Sequence, residues 1–397
     1  MKVFYINGVS YGSTGRIMFQ LADKVKECGG DALCTAGFTW NKCEREDFFQ
    51  TSGLFEKKLH TELSKITGKH GGYSLISTKK LISKINVFDP DVIHLHNIHG
   101  WFLNFEMLFD YLKKSNKKIV WTLHDCWSFT GYCPHFDMLG CEKWKTGCFE
   151  CPYNGYPKTY FDCSEKQYKR KKELFSGIHG LSIVTPSLWL KSKVEDSFLK
   201  DYPIHVINNG IDLSVFKPCS DKSVLDKYGI TTKYSVLGVS YGWDNKKGLD
   251  AFISLSETLG DKYTVVLVGT DESIEKNLPK NIVAIRRTQN QKELALLYSV
   301  ADVFVNPTLE DTFPTVNMEA LACGTPIAAY KTGGSVEIPD NNCGFMVEKR
   351  DILGLEKAIR KICEEKPFSK DNCKIRAKSF DKELFENKYM DLYRSMI

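Results

Sequence analysis

Ala301-Asp302-Val303-Phe304-Val305, then Glu310-Asp311-Thr312-Phe313-Pro314-Thr315-Val316-Asn317-Met318-Glu319, then Ala320-Leu321-Ala322-Cys323-Gly324-Thr325-Pro326: these three pieces decide how the chain is read. The first is a short apolar run, the signature of a buried strand. The second is a turn between two acids. A helix is expected to open within it, with Thr315 as N-cap and Gly324 as the stop. Asp311 then sits on a loop at the carboxyl end of a strand, and Glu319 one turn into the next helix. In open α/β sheets that position is the ligand crevice. The unpaired N–H groups of the helix start favour an anion there. An acid able to accept sugar hydroxyls, beside a phosphate site, points to a nucleotide-sugar pocket.

Working outward, apolar runs alternate with helical patterns along the whole chain. Strands are expected at Lys2–Ile6, Asp31–Gly37, Val92–His96, Lys118–Leu123, Ser182–Val184 and His205–Ile207. A second series is expected at Tyr234–Val239, Tyr263–Val268, Asn281–Ile285, Asp302–Val305, Pro326–Ala329 and Gly344–Val347. Helical stretches such as Thr14–Cys28, Glu106–Lys113, Gly248–Thr258 and Gln291–Ser299 lie between them. The alternation predicts an α/β protein with two doubly wound parallel sheets. At 397 residues two cores are expected rather than one. The reading places a first domain at residues 1–205 and a second at 206–379, with a turn-rich seam at Asn208–Asp212. Residues 380–397 form an amphipathic helix expected to cross back to the first domain. Residues 126–163, rich in Cys, aromatics, Gly and Pro, read as an irregular insertion.

Composition excludes some functions. Hydrophobic residues are 42% and charged residues 26%, ordinary for a globular protein, and the net charge is +5. That is too little for a nucleic-acid-binding face, so no nucleic acid partner is expected. It allows anionic substrates or peripheral contact with the inner face of a membrane. The apolar start Met1–Ile6 is too short for a signal peptide and reads as a first strand. No run is long enough to span a bilayer, so a cytoplasmic location is expected. The 14 cysteines are then read mainly as free thiols.

Several motifs resemble one family. Residues 236–348 resemble the donor-binding half of family-four, GT-B-type retaining glycosyltransferases. The resemblance runs through Val265-Val266-Leu267-Val268-Gly269, Ala301–Pro307, the acidic turn to Glu319, Ala322–Pro326 and Thr332-Gly333-Gly334-Ser335. The first half resembles the family more loosely, at Gly12–Arg16, Asp91–His96 and Thr122-Leu123-His124-Asp125. The acidic turn with Cys323–Pro326 is the specific element. The resemblance implies two Rossmann-like domains facing a cleft, with a nucleoside-diphosphate sugar on the second and an acceptor mainly on the first. It implies transfer with retention, without a catalytic metal or other cofactor, to a glycan or lipid-linked oligosaccharide in polysaccharide assembly.

The family's paired acids fall on Asp311 and Glu319, with Glu310 beside the first; either Glu310 or Asp311 faces the sugar. Glu319 resembles the residue that holds ribose hydroxyls. Phe313, Pro314, Thr315 and Val316 complete the donor turn. Lys247 resembles the cation that meets the diphosphate. Relatives often place an Arg six residues earlier, where this chain has Tyr241. Arg286 or Arg287 is the candidate replacement. Gly12 and Gly15, with Arg16, open the first helix; they form either a plain β-to-α turn or an approach for phosphate or acceptor. His124, with Asp125 after it, resembles the histidine beside the reacting sugar, and His96 and His99 are expected to line the same pocket. Cys133, Cys141, Cys148 and Cys151 could close a structural zinc site; buried thiols are the favoured reading. Lys166–Lys172 reads as a solvated helix face or a rest for anionic lipid. Two other functions fit the same motifs: epimerisation of a nucleotide sugar, and a non-catalytic scaffold or sensor.

Overall fold

The computed structural model describes residues 1–39, 43–152 and 157–397. It divides into two compact units, Met1–Ile207 with Glu386–Ile397, and Asn208–Phe385.

The first unit is built on a seven-stranded parallel sheet. Its strands are β1 (Lys2–Asn7), β2 (Asp31–Ala36), β3 (Phe48–Gln50), β4 (Val92–Leu95), β5 (Lys118–Thr122), β6 (Leu181–Thr185) and β7 (Ile204–Val206), in the order 3-2-1-4-5-6-7. The second holds β8 (Tyr234–Val239), β9 (Tyr263–Val268), β10 (Ile282–Ile285), β11 (Val303–Asn306), β12 (Ile327–Tyr330) and β13 (Gly344–Val347), in the order 10-9-8-11-12-13. Every residue of β9 is buried, because helices cover both faces of the sheet. The order reverses direction between β1 and β4, and again between β8 and β11. Crevices at the carboxyl ends of those pairs are where doubly wound sheets bind ligands.

The last helix, Lys382–Met396, begins in the second unit and ends in the first. Tyr389 and Tyr393, four residues apart on one face, enter the first core. The Tyr393 hydroxyl lies 2.6 Å from His94 Nδ1, and the Tyr389 hydroxyl 2.8 Å from Thr122 Oγ1. His94 Nε2 closes the set on Thr122 Oγ1 at 2.7 Å. Each buried polar atom of β4 and β5 here finds a partner on the final helix or the neighbouring strand.

Some expectations need correction. The acidic-turn helix spans Thr315–Ala322 with Pro314, not Thr315, at the N-cap. Proline's fixed φ holds the extended cap conformation, so Thr315 is already helical. Gly324, at φ 83°, follows the C-cap as expected. Lys166–Lys172 is not a uniformly solvated face. Lys171 is buried against the Trp127 ring, 3.5 Å from its centroid, and Arg170 bonds Glu106 at 2.5 Å. Among the described residues, Cys133, Cys141, Cys148 and Cys151 included, no three His, Cys, Asp or Glu converge on a metal position. That segment is held instead by stacked rings, Phe136 on Trp144 at 4.8 Å and Trp144 near Phe129 at 5.3 Å. Cys133 and Cys148 are buried thiols, and burial pushes the Cys148 thiol up to about 11. Part of the predicted insertion, residues 153–156, lies outside the described residues.

Candidate functional site

In the second unit the crevice between β8 and β11 is closed by two loops. After β8, Asp244 accepts the Lys247 N–H at 2.9 Å and sets a short 3₁₀ turn, Asn245–Lys247. Gly248 then turns the chain at φ 78°; a Cβ there would lie 2.5 Å from the Pro307 carbonyl. Glycine is what allows the loops after β8 and β11 to approach so closely. The Lys246 carbonyl accepts the Leu309 N–H at 2.7 Å and the Thr308 hydroxyl at 3.2 Å.

Two parallel ion pairs cross this seam. Lys247 Nζ lies 3.0 Å from Asp311 Oδ2, and Lys246 Nζ 3.6 Å from Glu310 Oε2. The pairs differ in access. The Glu310 side chain is 3% exposed and that of Asp311 22%. Asp311 is therefore the acid of the two that solvent and a ligand can reach. Its charge raises the Lys247 pKa further, so the ammonium persists at neutral pH. Asp311 Oδ1 also accepts the Phe313 N–H at 3.2 Å, which fixes the turn. Behind it, Gly333 at φ 50° packs so tightly that a Cβ would fall 1.7 Å from the Asp311 carbonyl oxygen.

The helix begun at Thr315 has no side-chain cap from Pro314. One turn in, the buried Glu319 carboxylate accepts the Tyr298 hydroxyl at 3.0 Å. Thr315 and Val316 are half-buried. The Phe313 ring is in the core against Phe380, so only its backbone belongs to the turn. Of the two arginines, the exposed Arg286 pairs with Glu275 at 2.7 Å. Arg287 stacks 5.9 Å over the Tyr241 ring, which stands just beyond β8.

In the first unit, the crevice between β1 and β4 opens into a cavity of about 440 Å³. Its lining includes Gly8, Thr14, Lys57, His99, Trp101 and Asp125. Asn7, fully buried, joins the loops: its Oδ1 accepts the N–H groups of Gly8 (2.9 Å) and Asn97 (3.2 Å), and its Nδ2 bonds Thr14. His99 Nε2 lies 3.0 Å from Asp125 Oδ2. Burial works to raise Asp125, but His99 beside it holds the carboxyl down to about 2. His96 Nδ1 and His124 Nε2 share a hydrogen at 3.0 Å, and the rings stack. Burial lowers His124 to about 4, so it is a neutral hydrogen-bonding group at pH 7. Gly12 and Gly15 open the Gly12–Glu27 helix with Arg16 exposed at its start. Gly15 allows that helix to lie against Ser10, where a Cβ would come within 2.6 Å of its backbone. A second cavity, about 430 Å³ at the amino ends of β11 and β12, contains none of the expected residues.

Lys246, Tyr298, Asn7, Lys57 and Trp101 were not anticipated. Lys246 had a signal, since it precedes Lys247 as Glu310 precedes Asp311. Tyr298 had none, because its contact with Glu319 spans two helices.

Two parallel doubly wound sheets, each with its polar constellation at the strand-order reversal, define the GT-B class. Residues 55–215 match the family described as Glycosyltransferase Family 4, and residues 234–365 that described as Glycosyl transferases group 1. The chain belongs to the family-four glycosyltransferases. Among curated proteins it is 29% identical over 277 residues to WcaC of Escherichia coli K12, assigned to colanic acid biosynthesis as a glycosyl transferase; 67% of this chain and 66% of that one are covered. It is 26% identical over 177 residues to the D-inositol 3-phosphate glycosyltransferase of Mycolicibacterium smegmatis, covering 41% of each. The aligned stretches thus span less than two thirds of these relatives' lengths. Among solved structures, sucrose-phosphate synthase from Thermosynechococcus elongatus superposes with a TM-score of 0.74 at 16% identity, covering 100% and 98% of the two chains. Anabaena HepE in complex with UDP-glucose gives 0.68 at 14%, covering 100% of both. At these identities the likeness shows the fold.

Proposed function

We propose that the chain transfers a sugar from a nucleoside-diphosphate donor to a hydroxyl of a glycan or lipid-linked acceptor in polysaccharide assembly. The observation behind this is the Lys247–Asp311 pair at the β8/β11 reversal, followed in the chain by an uncapped helix start and, one turn in, the buried Glu319. A diphosphate there meets an ammonium and backbone N–H groups, and Glu319 accepts adjacent ribose hydroxyls. HepE, with the same fold, is known in complex with UDP-glucose, which supports a nucleotide-sugar donor. Asp311 faces the donor, Glu310 buttresses it, and Arg287 supplies the second positive charge.

The acceptor belongs to the cavity of the first unit, where His99 and Asp125 offer a donor–acceptor pair for sugar hydroxyls. By family resemblance His124 meets the reacting sugar. The work asked of the protein is to stabilise charge on the departing diphosphate and to hold the acceptor hydroxyl in line. Departing phosphate oxygen takes the acceptor's proton on the same face, which gives retention. No resident metal is needed in this scheme.

The test is a panel of nucleotide sugars screened by thermal stabilisation, followed by product analysis with and without acceptor. Glu319→Ala should weaken the donor that stabilises best and lower turnover. An altered sugar formed from donor alone would assign epimerisation instead. Failure of every nucleoside diphosphate to bind would leave a scaffold.

A further inference from the structure

The helix Leu54–Thr67 carries an apolar stripe that the described residues leave exposed. It buries His60 and Ser64 on one side and leaves Phe55, Leu59 and Ile66 on the other. Spacings of four and seven residues put those three within roughly 40° of one another around the axis. Phe55 is 81% exposed and Ile66 58%. Glu62, in the same stripe, is neutralised by Lys65 at 2.6 Å. The stripe extends beyond the helix. The Tyr160 N–H bonds the Lys65 carbonyl at 2.9 Å, which brings two more bare rings, Tyr160 and Phe161, to its end. At the other end Glu56 accepts the Ser77 N–H at 3.3 Å, so the exposed Leu75 and Ile76 of the helix Leu75–Phe88 adjoin.

Charge tells what covers this face. From Leu54 to Phe88 the sequence has seven lysines and two glutamates. That surplus of five equals the net charge of the whole chain, +5, so the rest of the chain is balanced. Both glutamates are engaged, one with Ser77 and one with Lys65. Lys58, Lys79, Lys80 and Lys84 are exposed, and so is Lys69, which pairs with Glu106 at 3.0 Å. Lysine is depleted in protein–protein interfaces, and a second copy would bring like charge against like. Apolar side chains ringed by lysines match the boundary of a bilayer with anionic headgroups.

We propose that this face of the first unit, and not Lys166–Lys172, rests on an anionic lipid surface. The reading is independent of sugar transfer, because the measurement is lipid binding. The full-length chain is sedimented with vesicles of phosphatidylcholine alone and of phosphatidylcholine with phosphatidylglycerol. At low salt it should sediment with the mixed vesicles at least tenfold more strongly than with the neutral ones. Lys79→Glu with Lys80→Glu should weaken that binding by about fivefold or more for each lysine. Phe55→Ser with Leu59→Ser should abolish most of it. Equal binding to both vesicle types, no binding to mixed vesicles, or wild-type binding by both double variants would overturn the proposal. So would self-association of the chain that Phe55→Ser with Leu59→Ser dissolves, since that gives the face to a second copy.

Discussion

Lys247→Ala tests the grip on the donor most directly. The ammonium neutralises Asp311 at 3.0 Å. Its removal does two things: an incoming diphosphate loses a charge-assisted hydrogen bond, and it then meets an unbalanced carboxylate. The first effect is worth about 1.5–3 kcal/mol, which is roughly a 10- to 150-fold loss of affinity. The second adds repulsion that Asp311→Asn would remove. The Lys247→Ala, Asp311→Asn double variant therefore separates the two. If Lys247 grips the ligand, the double variant recovers only part of the lost affinity. If Lys247 merely neutralises Asp311, the double variant returns to wild-type affinity. The assay is calorimetry with the nucleoside diphosphate selected by thermal stabilisation, at low and moderate salt. Affinity of Lys247→Ala within twofold of wild type, with the same salt dependence, would refute the assignment.

Three further outcomes are expected. Gly333→Ala puts a methyl group into the Asp311 carbonyl and forces a left-handed backbone on alanine; it should cost about 2–4 kcal/mol and weaken donor binding, and an unchanged melting temperature would contradict the packing. Tyr393→Phe leaves buried His94 Nδ1 without its 2.6 Å partner, so denaturant unfolding should show a loss of about 1–3 kcal/mol; no loss would mean the network is unimportant. Acid should destabilise the first unit, where burial lowers His60 and His124 to about 4 and depresses His70, His94 and His96 as well. The unfolded imidazole, near 6.5, takes its proton first, so stability is full above about pH 6.5 and falls toward pH 4, by on the order of 3 kcal/mol for each of His60 and His124. Calorimetric scans at pH 7, 6 and 5 check this, and a constant melting temperature would count against it.

The sheet strands were legible because parallel strands covered on both faces are written as unbroken apolar runs, such as Val265–Val268. β3 was missed: Phe48–Gln50 is a three-residue edge strand flanked by Asp47 and Thr51, without the β-branched aliphatic residues that mark the equally short β7. Asp311 could be placed on its loop and Glu319 on its helix from the strand–turn–helix pattern, and Lys247 on its loop from the family resemblance. What spacing could not give was which acid is reachable, because Glu310 and Asp311 differ in burial and not in sequence context. The choice between Arg286 and Arg287 likewise depended on a partner, Glu275, that lies eleven residues away and meets Arg286 only in the fold. The stacked rings around Trp144 were hidden for the same reason.

The tyrosines of the final helix have a consequence for synthesis. Met1–Ile207 emerges from the ribosome first, yet its central strands present His94 and Thr122 to residues 389 and 393. Until residues 386–397 are translated, those imidazole and hydroxyl groups have only water in place of Tyr393 and Tyr389. The first-made unit is thus sealed after the second, and a released chain truncated after residue 385 should be open to proteases at β4 and β5 although the second unit is already whole.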